Sequence, residues 1–123
     1  MTHEEPAGLR CGSVCWADLS PTRGREQAGR RPVVVVSSNG YLAAVTTLAL
    51  VLPITTVDRG WPNQVALTGP HGLPARSWAM TEQIRAVARD RLTSPAGEVN
   101  RACLDSLRLW LSDFLDLPAP PAQ

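Results

Sequence analysis

Four consecutive valines, Val33–Val36, are the feature that most limits how this chain can fold. β-Branched side chains favour strands, and apolar residues at every position predict a strand that is buried on both faces. We therefore expect a β-rich domain that is organised around this strand.

A polar segment rich in arginine leads into the valine strand. Residues 23–31 contain four arginines and one glutamate, which give a net charge of +3, and Gly24 and Gly29 predict a loop. Pro32 restricts Arg31 to an extended conformation, so this arginine is expected at a fixed position where the loop meets the strand. Functional side chains are often held in this way. A solvated hairpin loop explains the same stretch equally well.

Length and composition favour one domain and argue against several classes of protein. A chain of 123 residues is long enough to bury a hydrophobic core, and a net charge of +1 gives no general attraction to nucleic acid. The longest apolar stretch, Leu48–Ile54, has the length of a strand, so we expect no membrane-spanning segment and no leader. We expect a loose segment at 1–9, a domain at 10–117 and a proline-rich tail at 118–123.

The three cysteines, Cys11, Cys15 and Cys103, bear on the cellular compartment. Cys11 and Cys15 lie in a segment predicted to be extended, which separates them by about 13 Å, too far for a disulfide within one strand. Two scattered histidines do not supply the spacing of a metal site. We expect reduced thiols, no metal and a cytoplasmic protein.

Alternation and turn residues predict the other strands. We expect strands at residues 12–19, 46–56, 64–67 and 77–87, and a short strand or turn at 92–99. Ser38-Asn39-Gly40 predicts a turn. Pro53 predicts an edge or a bulge, because proline cannot donate to a ladder.

One helix is predicted near the C-terminus, over residues 101–115. Asn100 is a good N-cap, and Val99 and Leu104 stand at the two positions of a hydrophobic staple. One apolar stripe at helical spacing consists of Leu104, Leu107, Leu111 and Phe114. Strands followed by a terminal helix predict a small, mainly β domain of the α+β type, with the helix closing the sheet.

Several polar residues together suggest a chemistry that none of them suggests alone. They are Glu26, Gln27, Arg30, Arg31, Thr55, Ser77, Glu82, Gln83 and Arg85. The sequence has no Ser-His-Asp arrangement, glycine-rich phosphate loop or metal motif. Arginine, threonine and a carboxylate can still cleave RNA, because the ribose 2′-OH is the nucleophile. The protein must then activate it, stabilise charge on the phosphorane and protonate the leaving oxygen.

Four stretches together match the pattern of one known family. They are residues 14–24, with Trp-Ala-Asp-Leu-Ser-Pro-Thr-Arg-Gly; 26–37, with Gly-Arg-Arg-Pro and the valine run; 51–55, with Pro-Ile-Thr; and 77–85, with Glu-Gln-Ile-Arg. In this order and spacing the chain resembles the MazF/PemK toxins of bacterial toxin–antitoxin pairs. The resemblance covers about residues 10–117.

The resemblance implies both a fold and an activity. The family fold is a small, SH3-like β-barrel of the MazF/CcdB/PemK type, which forms a homodimer. The implied activity is a cofactor-free, metal-independent endoribonuclease that cuts single-stranded RNA at short sequences and inhibits translation. Its products would carry a 2′,3′-cyclic phosphate and a 5′-hydroxyl. The implied partner is an antitoxin whose extended, acidic and apolar segment lies along the basic loop and dimer groove.

The resemblance also assigns roles to residues of this chain. Arg31 would stabilise the phosphate and donate a proton, Thr55 would bind the scissile phosphate, and Glu26 is the candidate base because arginine is a poor one. The residues expected to contact RNA or to support the site are Gln27, Arg30, Trp61, Ser77, Gln83 and Arg85. Trp61 packing beneath its own loop is an equal alternative, as is a structural role for Glu82 in pairing with a loop arginine.

Two other functions fit the same fold. One is a non-catalytic toxin that acts through protein contacts, like the gyrase poison CcdB, and the other is a module that binds RNA without cutting it. The presence of Arg31 and Thr55 argues against the first. Ser13 and Cys15 depart from the family pattern, as does the region from Asn39 to Thr47, which leaves the RNA sequence preference open.

Overall fold

The computed structural model describes residues 8–19 and 30–118. Within them the chain forms seven strands, two α-helices and 3₁₀ turns at Thr81–Gln83 and Arg89–Arg91. The strands and helices are β1 (Ser13–Asp18), β2 (Arg30–Val35), α1 (Asn39–Ala44), β3 (Leu48–Thr55), β4 (Gln64–Ala66), β5 (Trp78–Met80), β6 (Arg85–Ala88), β7 (Leu92–Glu98) and α2 (Arg101–Phe114).

The strands form one antiparallel sheet in the order β4-β5-β3-β2-β1-β7, and β6 pairs with β3 beside that path. The predicted class, mainly β with a C-terminal helix, is confirmed. In the described ranges the strands do not close on themselves, so the expected barrel is an open sheet here.

The valine strand is central, as the sequence predicts. Strand β2 pairs with β1 on one side and with β3 on the other, and Val33, Val34 and Val35 have no exposed surface. Because successive side chains of a strand point to opposite faces, Val34 joins one hydrophobic cluster while Val33 and Val35 join a second. The sheet thus separates two layers of core.

Pro53 does not mark an edge, because β3 has neighbours on both sides. It lies opposite Val33 in the ladder with β2. On its other side β3 pairs with β6 through Leu48–Val51 and with β5 through Ile54 and Thr55. Pro53 therefore falls where β3 changes partner, and an interrupted ladder accommodates a residue that has no N–H to donate.

Two local predictions are wrong. Ser38-Asn39-Gly40 begins helix α1 rather than a turn, because the Ser38 hydroxyl accepts the Tyr41 backbone N–H as an N-cap. The strand predicted at 77–87 is broken by a 3₁₀ turn at Thr81–Gln83. Its two halves pair with opposite ends of β3, which requires a bend between them.

Helix α2 has the predicted start. The Asn100 side chain accepts the Cys103 backbone N–H, and Leu107 is fully buried with Leu104 and Leu111 beside it. The stripe ends earlier than predicted, because Phe114 is 44% exposed and its ring lies 5.9 Å from that of Trp110. Within the described ranges, no helix combines the length and apolar character needed to cross a membrane.

All three cysteines lie in the described ranges, and none of them forms a disulfide. Cys15 and Cys103 are buried, one in each hydrophobic cluster, and Cys11 is half-buried. Burial raises the pKa of both Cys11 and Cys103 above the ordinary value of 9.0. The nearby Arg108 guanidinium partly offsets the rise in the pKa of Cys11, and hydrogen bonding with Thr68 partly offsets it for Cys103.

We expect the free energy of unfolding to fall as the pH rises above about 9. Below that pH both the folded and the unfolded chain keep these thiol protons, so the contribution of the thiols to the free energy of unfolding is constant. Above it the unfolded chain loses the protons that the folded chain retains, so unfolding becomes more favourable. The chain has no lysine and one tyrosine, which leaves few other groups to titrate there. Urea denaturation between pH 7 and 10.5 measures the decline, and Cys103→Ala should reduce it. An equal decline in that variant would contradict the assignment to this thiol.

Candidate active site

Strands β2 and β3 bring Arg31 and Thr55 together. Val33 lies opposite Pro53, and extending this antiparallel register by two residues along each strand places Arg31 opposite Thr55. Both residues line a pocket of about 380 Å³. Two residues that are 24 positions apart in sequence are therefore neighbours because of the strand register.

The pocket lies between the sheet and a loop. Its lining residues are Trp16, Arg31, Pro32, Ile54, Thr55, Thr56, Val57, Leu73, Pro74, Ala75 and Ser77. The loop is fixed at its end, where the Leu67 backbone N–H donates to the Ser77 carbonyl over 2.9 Å and the buried Ser77 hydroxyl donates to the Ala75 carbonyl over 2.9 Å. The loop thus forms a wall opposite Arg31.

Arg31 is exposed, and its guanidinium makes no hydrogen bond, ion pair or ring contact with any residue in the described ranges. Its neighbour Arg30 is held in place instead: the guanidinium lies over the Trp16 ring and donates to the Ser94 hydroxyl over 2.9 Å. Arg31 therefore offers a planar fork of N–H donors at the pocket, which suits a phosphate group.

The Thr55 hydroxyl is oriented by its own turn. Its Oγ1 accepts the Val57 backbone N–H over 3.1 Å, and Val57 also lines the pocket. A hydroxyl that accepts one hydrogen bond still has its own hydrogen to donate. Thr55 can therefore donate to an anionic oxygen held by Arg31.

Besides Arg30, three residues with expected RNA contacts lie outside the pocket lining. Trp61 is 50% exposed, with the Arg59 guanidinium 5.6 Å from its ring centroid, and so it does not pack beneath its loop. Gln83 is exposed and donates to Glu82, and Arg85 is exposed at the start of β6. Glu82 accepts from the Asn63 amide, and most of the arginine loop with which it was expected to pair lies outside the described residues. Glu26 and Gln27 lie outside the described residues.

The structure adds residues that the sequence did not single out for this site. Trp16 and the Leu73–Ala75 segment line the pocket, and Arg76 lies over the Trp78 ring beside it. A loop without periodicity gives no sequence signal of what it packs against, and Trp16 became relevant only through the pairing of β1 with β2. The described ranges hold no cluster of three His, Cys, Asp or Glu side chains suited to a metal ion.

Comparison with known proteins gives one family. Residues 10–115 match the family model described as PemK-like, MazF-like toxin of type II toxin–antitoxin system. Endoribonuclease MazF9 of Mycobacterium tuberculosis is 38% identical over 115 residues, which cover 89% of this chain and 98% of that protein.

Solved structures of that family have the same fold. An endoribonuclease in complex with its cognate antitoxin, from mycobacterial species, is 27% identical with a TM-score of 0.70, covering 94% of this chain and 100% of that one. MazF from Deinococcus radiodurans is 26% identical with a TM-score of 0.72, covering 89% and 97% of the two chains. Both sequence and fold therefore match over nearly the full length of these proteins.

Proposed function

Because the chain belongs to the PemK-like, MazF-like toxin family of type II toxin–antitoxin systems, we propose that the pocket between β2, β3 and the Leu73–Ser77 loop is its active site. The chain is an endoribonuclease toxin, and its protein partner is an antitoxin. One observation carries the assignment of the site: Thr55 lines the same pocket as Arg31, whose guanidinium makes no hydrogen bond, ion pair or ring contact in the described ranges.

The reaction at this site is cleavage of single-stranded RNA by its own ribose. The 2′-oxygen attacks the adjacent phosphorus, a bond forms between them, and the bond from phosphorus to the 5′-oxygen breaks. The products are a 2′,3′-cyclic phosphate and a 5′-hydroxyl. The proton leaves the 2′-OH, for which Glu26 is the proposed acceptor, and the 5′-oxygen gains one. No metal is required, because the substrate supplies the nucleophile.

Arg31 stabilises the charge that develops on the phosphorane. Two N–H groups of one guanidinium can bind two phosphate oxygens at once, and such charge-assisted bonds strengthen as the negative charge grows. We also assign to Arg31 the donation of the proton to the leaving 5′-oxygen. No ion pair joins Arg31 to a described residue, so its positive charge is not neutralised before the substrate binds, which supports this assignment.

We assign to Thr55 the positioning of the phosphate. Thr55→Ala should therefore lower the cleavage rate by roughly 10²-fold, which is the usual cost of removing one hydrogen-bond donor to a reacting oxygen. Thr55→Ser keeps the hydroxyl and should retain most activity. Because Thr55 is the last residue of β3 and only half-buried, neither change should greatly alter the thermal midpoint. Single-turnover cleavage of one RNA by the parent chain, Thr55→Ala and Thr55→Ser measures the effect. Equal cleavage rates for the two variants would show that the Thr55 hydroxyl takes no part in the reaction.

The other RNA contacts, the oligomeric state and the cellular location are also proposals. Gln27, Arg30 and Trp61 stay predicted RNA contacts, as do Gln83 and Arg85 outside the pocket, whereas Ser77 acts by fixing the pocket wall. We propose a homodimer that acts in the cytoplasm. RNA is abundant there, and reducing conditions preserve three free thiols.

A cleavage assay tests the proposed function. The purified chain, freed from antitoxin, is incubated with a long single-stranded RNA in excess chelator, and the new ends are mapped. We expect discrete cuts with 5′-hydroxyl ends. A folded, antitoxin-free chain that makes no cuts would overturn the proposal and favour binding without cleavage. Cuts that disappear in chelator would overturn its metal independence.

A further inference from the structure

Three of the four tryptophans of this chain lie beneath an arginine. The guanidinium carbon lies 5.6 Å from the ring centroid in Arg30–Trp16, 5.6 Å in Arg59–Trp61 and 5.4 Å in Arg76–Trp78. The position of two of the pairs calls for an explanation.

The Arg30–Trp16 pair borders the pocket from the sheet. Trp16 is itself a lining residue. Arg30 is fixed from two directions, by the indole ring and by the Ser94 hydroxyl at 2.9 Å, although its side chain is exposed. Its guanidinium is therefore held as a plane over the lining residue Trp16, with its position set before any ligand binds.

The Arg76–Trp78 pair borders the pocket from the loop. Arg76 lies in sequence between Ala75 and Ser77, which both line the pocket, and Trp78 is the ladder partner of Thr55. The Ser77 hydroxyl donates to the Ala75 carbonyl, which fixes the backbone on both sides of Arg76. Like Arg30, Arg76 is exposed above a partly buried indole.

An arginine held over an indole is suited to bind a nucleobase. Unstacked bases of single-stranded RNA stack on aromatic rings and on guanidinium planes, and this stacking tolerates any base because every base has a π-face. An arginine that is already stacked and hydrogen-bonded also loses less conformational freedom on binding. Arg31, by contrast, stacks on no ring among residues 8–19 and 30–118, and its guanidinium remains available for phosphate.

We propose that Arg30–Trp16 and Arg76–Trp78 are stacking platforms for two nucleobases that flank the cleaved phosphate in single-stranded RNA. The proposal rests on the proposed function, which places that phosphate between Arg31 and Thr55. The platforms select for unpaired, splayed bases. They contribute affinity whatever the identity of the base, and a duplex whose bases stack on one another cannot use them.

Arg76→Lys separates stacking from charge, because lysine keeps the charge and lacks the plane. The probe is a short RNA spanning a mapped cleavage site, with a 2′-deoxy nucleotide at the cut so that it cannot react. We expect Arg76→Lys to weaken binding by roughly 5- to 100-fold with an unchanged slope of log Kd against log salt. In cleavage the defect should appear in KM more than in kcat. A point-charge contact with a phosphate, which does not need the planar fork, would instead leave Kd nearly unchanged in the lysine variant.

A matched control and a modified RNA complete the test. Arg101→Lys changes an exposed arginine on α2 that pairs with Asp105 and has no ring contact, and it should bind like the parent chain. An abasic nucleotide beside the cut should weaken binding to the parent but not further to Arg76→Lys.

The outcomes distinguish the two proposals. RNA cleavage by the parent chain, with Arg76→Lys binding like Arg101→Lys, would overturn the platforms and leave the endoribonuclease site standing. A lowered thermal midpoint for Arg76→Lys with unchanged Kd would make the pair a structural contact and would also overturn them. A parent chain that does not cut RNA would overturn the proposed function, and the platforms with it.

Discussion

Arg31→Ala is expected to lower the rate of RNA cleavage by roughly 10³-fold or more, the scale on which a single arginine acts in other phosphoryl-transfer sites. The side chain is exposed and makes no hydrogen bond, ion pair or ring contact with a described residue, so the free energy of unfolding should change by no more than about 0.5 kcal/mol. Loss of activity without loss of stability is the signature of a group that acts on the substrate alone.

The kind of defect distinguishes chemistry from binding. Because Arg31 is assigned to charge that grows during the reaction, most of the loss should appear in kcat, and the non-reactive RNA should bind with a smaller change. Arg31→Lys should restore part of the rate, since it keeps the charge but loses the bidentate geometry. Single-turnover kinetics of Arg31→Ala and Arg101→Ala give the comparison. Parental rates in Arg31→Ala would remove this residue from the mechanism.

Leu107→Ala is expected to cost roughly 2–5 kcal/mol of folding free energy. Leu107 has no exposed surface and lies in the cluster that joins α2 to Val34 and Leu52 of the sheet. Truncation there removes buried methyl groups and leaves a cavity. Since the free energy of unfolding of a small domain is only about 5–15 kcal/mol, the variant should unfold at a much lower urea concentration than the parent chain.

The same helix supplies the control for this measurement. Leu109 is two positions further along and 53% exposed, so Leu109→Ala should change the free energy of unfolding by no more than about 0.5 kcal/mol. Urea denaturation at pH 7 compares the two variants under conditions in which the thiols keep their protons. Equal costs for both would mean that the buried face of α2 is assigned incorrectly.

Local sequence patterns predicted those elements that depend on local physics. The valine run predicted a central strand because four β-branched residues leave few other options, and Asn100 predicted the start of α2 because its side chain caps the next turn. The 77–87 segment was predicted as one strand because alternation does not reveal that its two halves pair with different ends of β3. Similarly, Ser38 serves equally well in a turn and as a helix cap.

The residues of the candidate site also fall into those that the sequence could predict and those that it could not. Arg31 and Thr55 were singled out by residue type and by family resemblance, and the register of β2 with β3 then places them in one pocket. Arg76 and Trp78 could not be found in this way. Their relation to Thr55 depends on how the 68–76 loop folds back, and this depends on contacts such as the one between Gly97 and the Pro70 carbonyl, where a Cβ has no space.

Each of the two hydrophobic clusters contains one buried cysteine, Cys103 in the cluster with Val34 and Cys15 in the cluster with Val33 and Val35. A buried thiol reacts with an alkylating reagent only when the structure around it opens, so the two alkylation rates measure the opening of two separate regions. Equal opening free energies would describe a sheet that comes apart as one cooperative unit. Faster labelling of Cys103 would instead show that α2 detaches while strands β1, β2 and β3, which hold Cys15 and Arg31, stay folded.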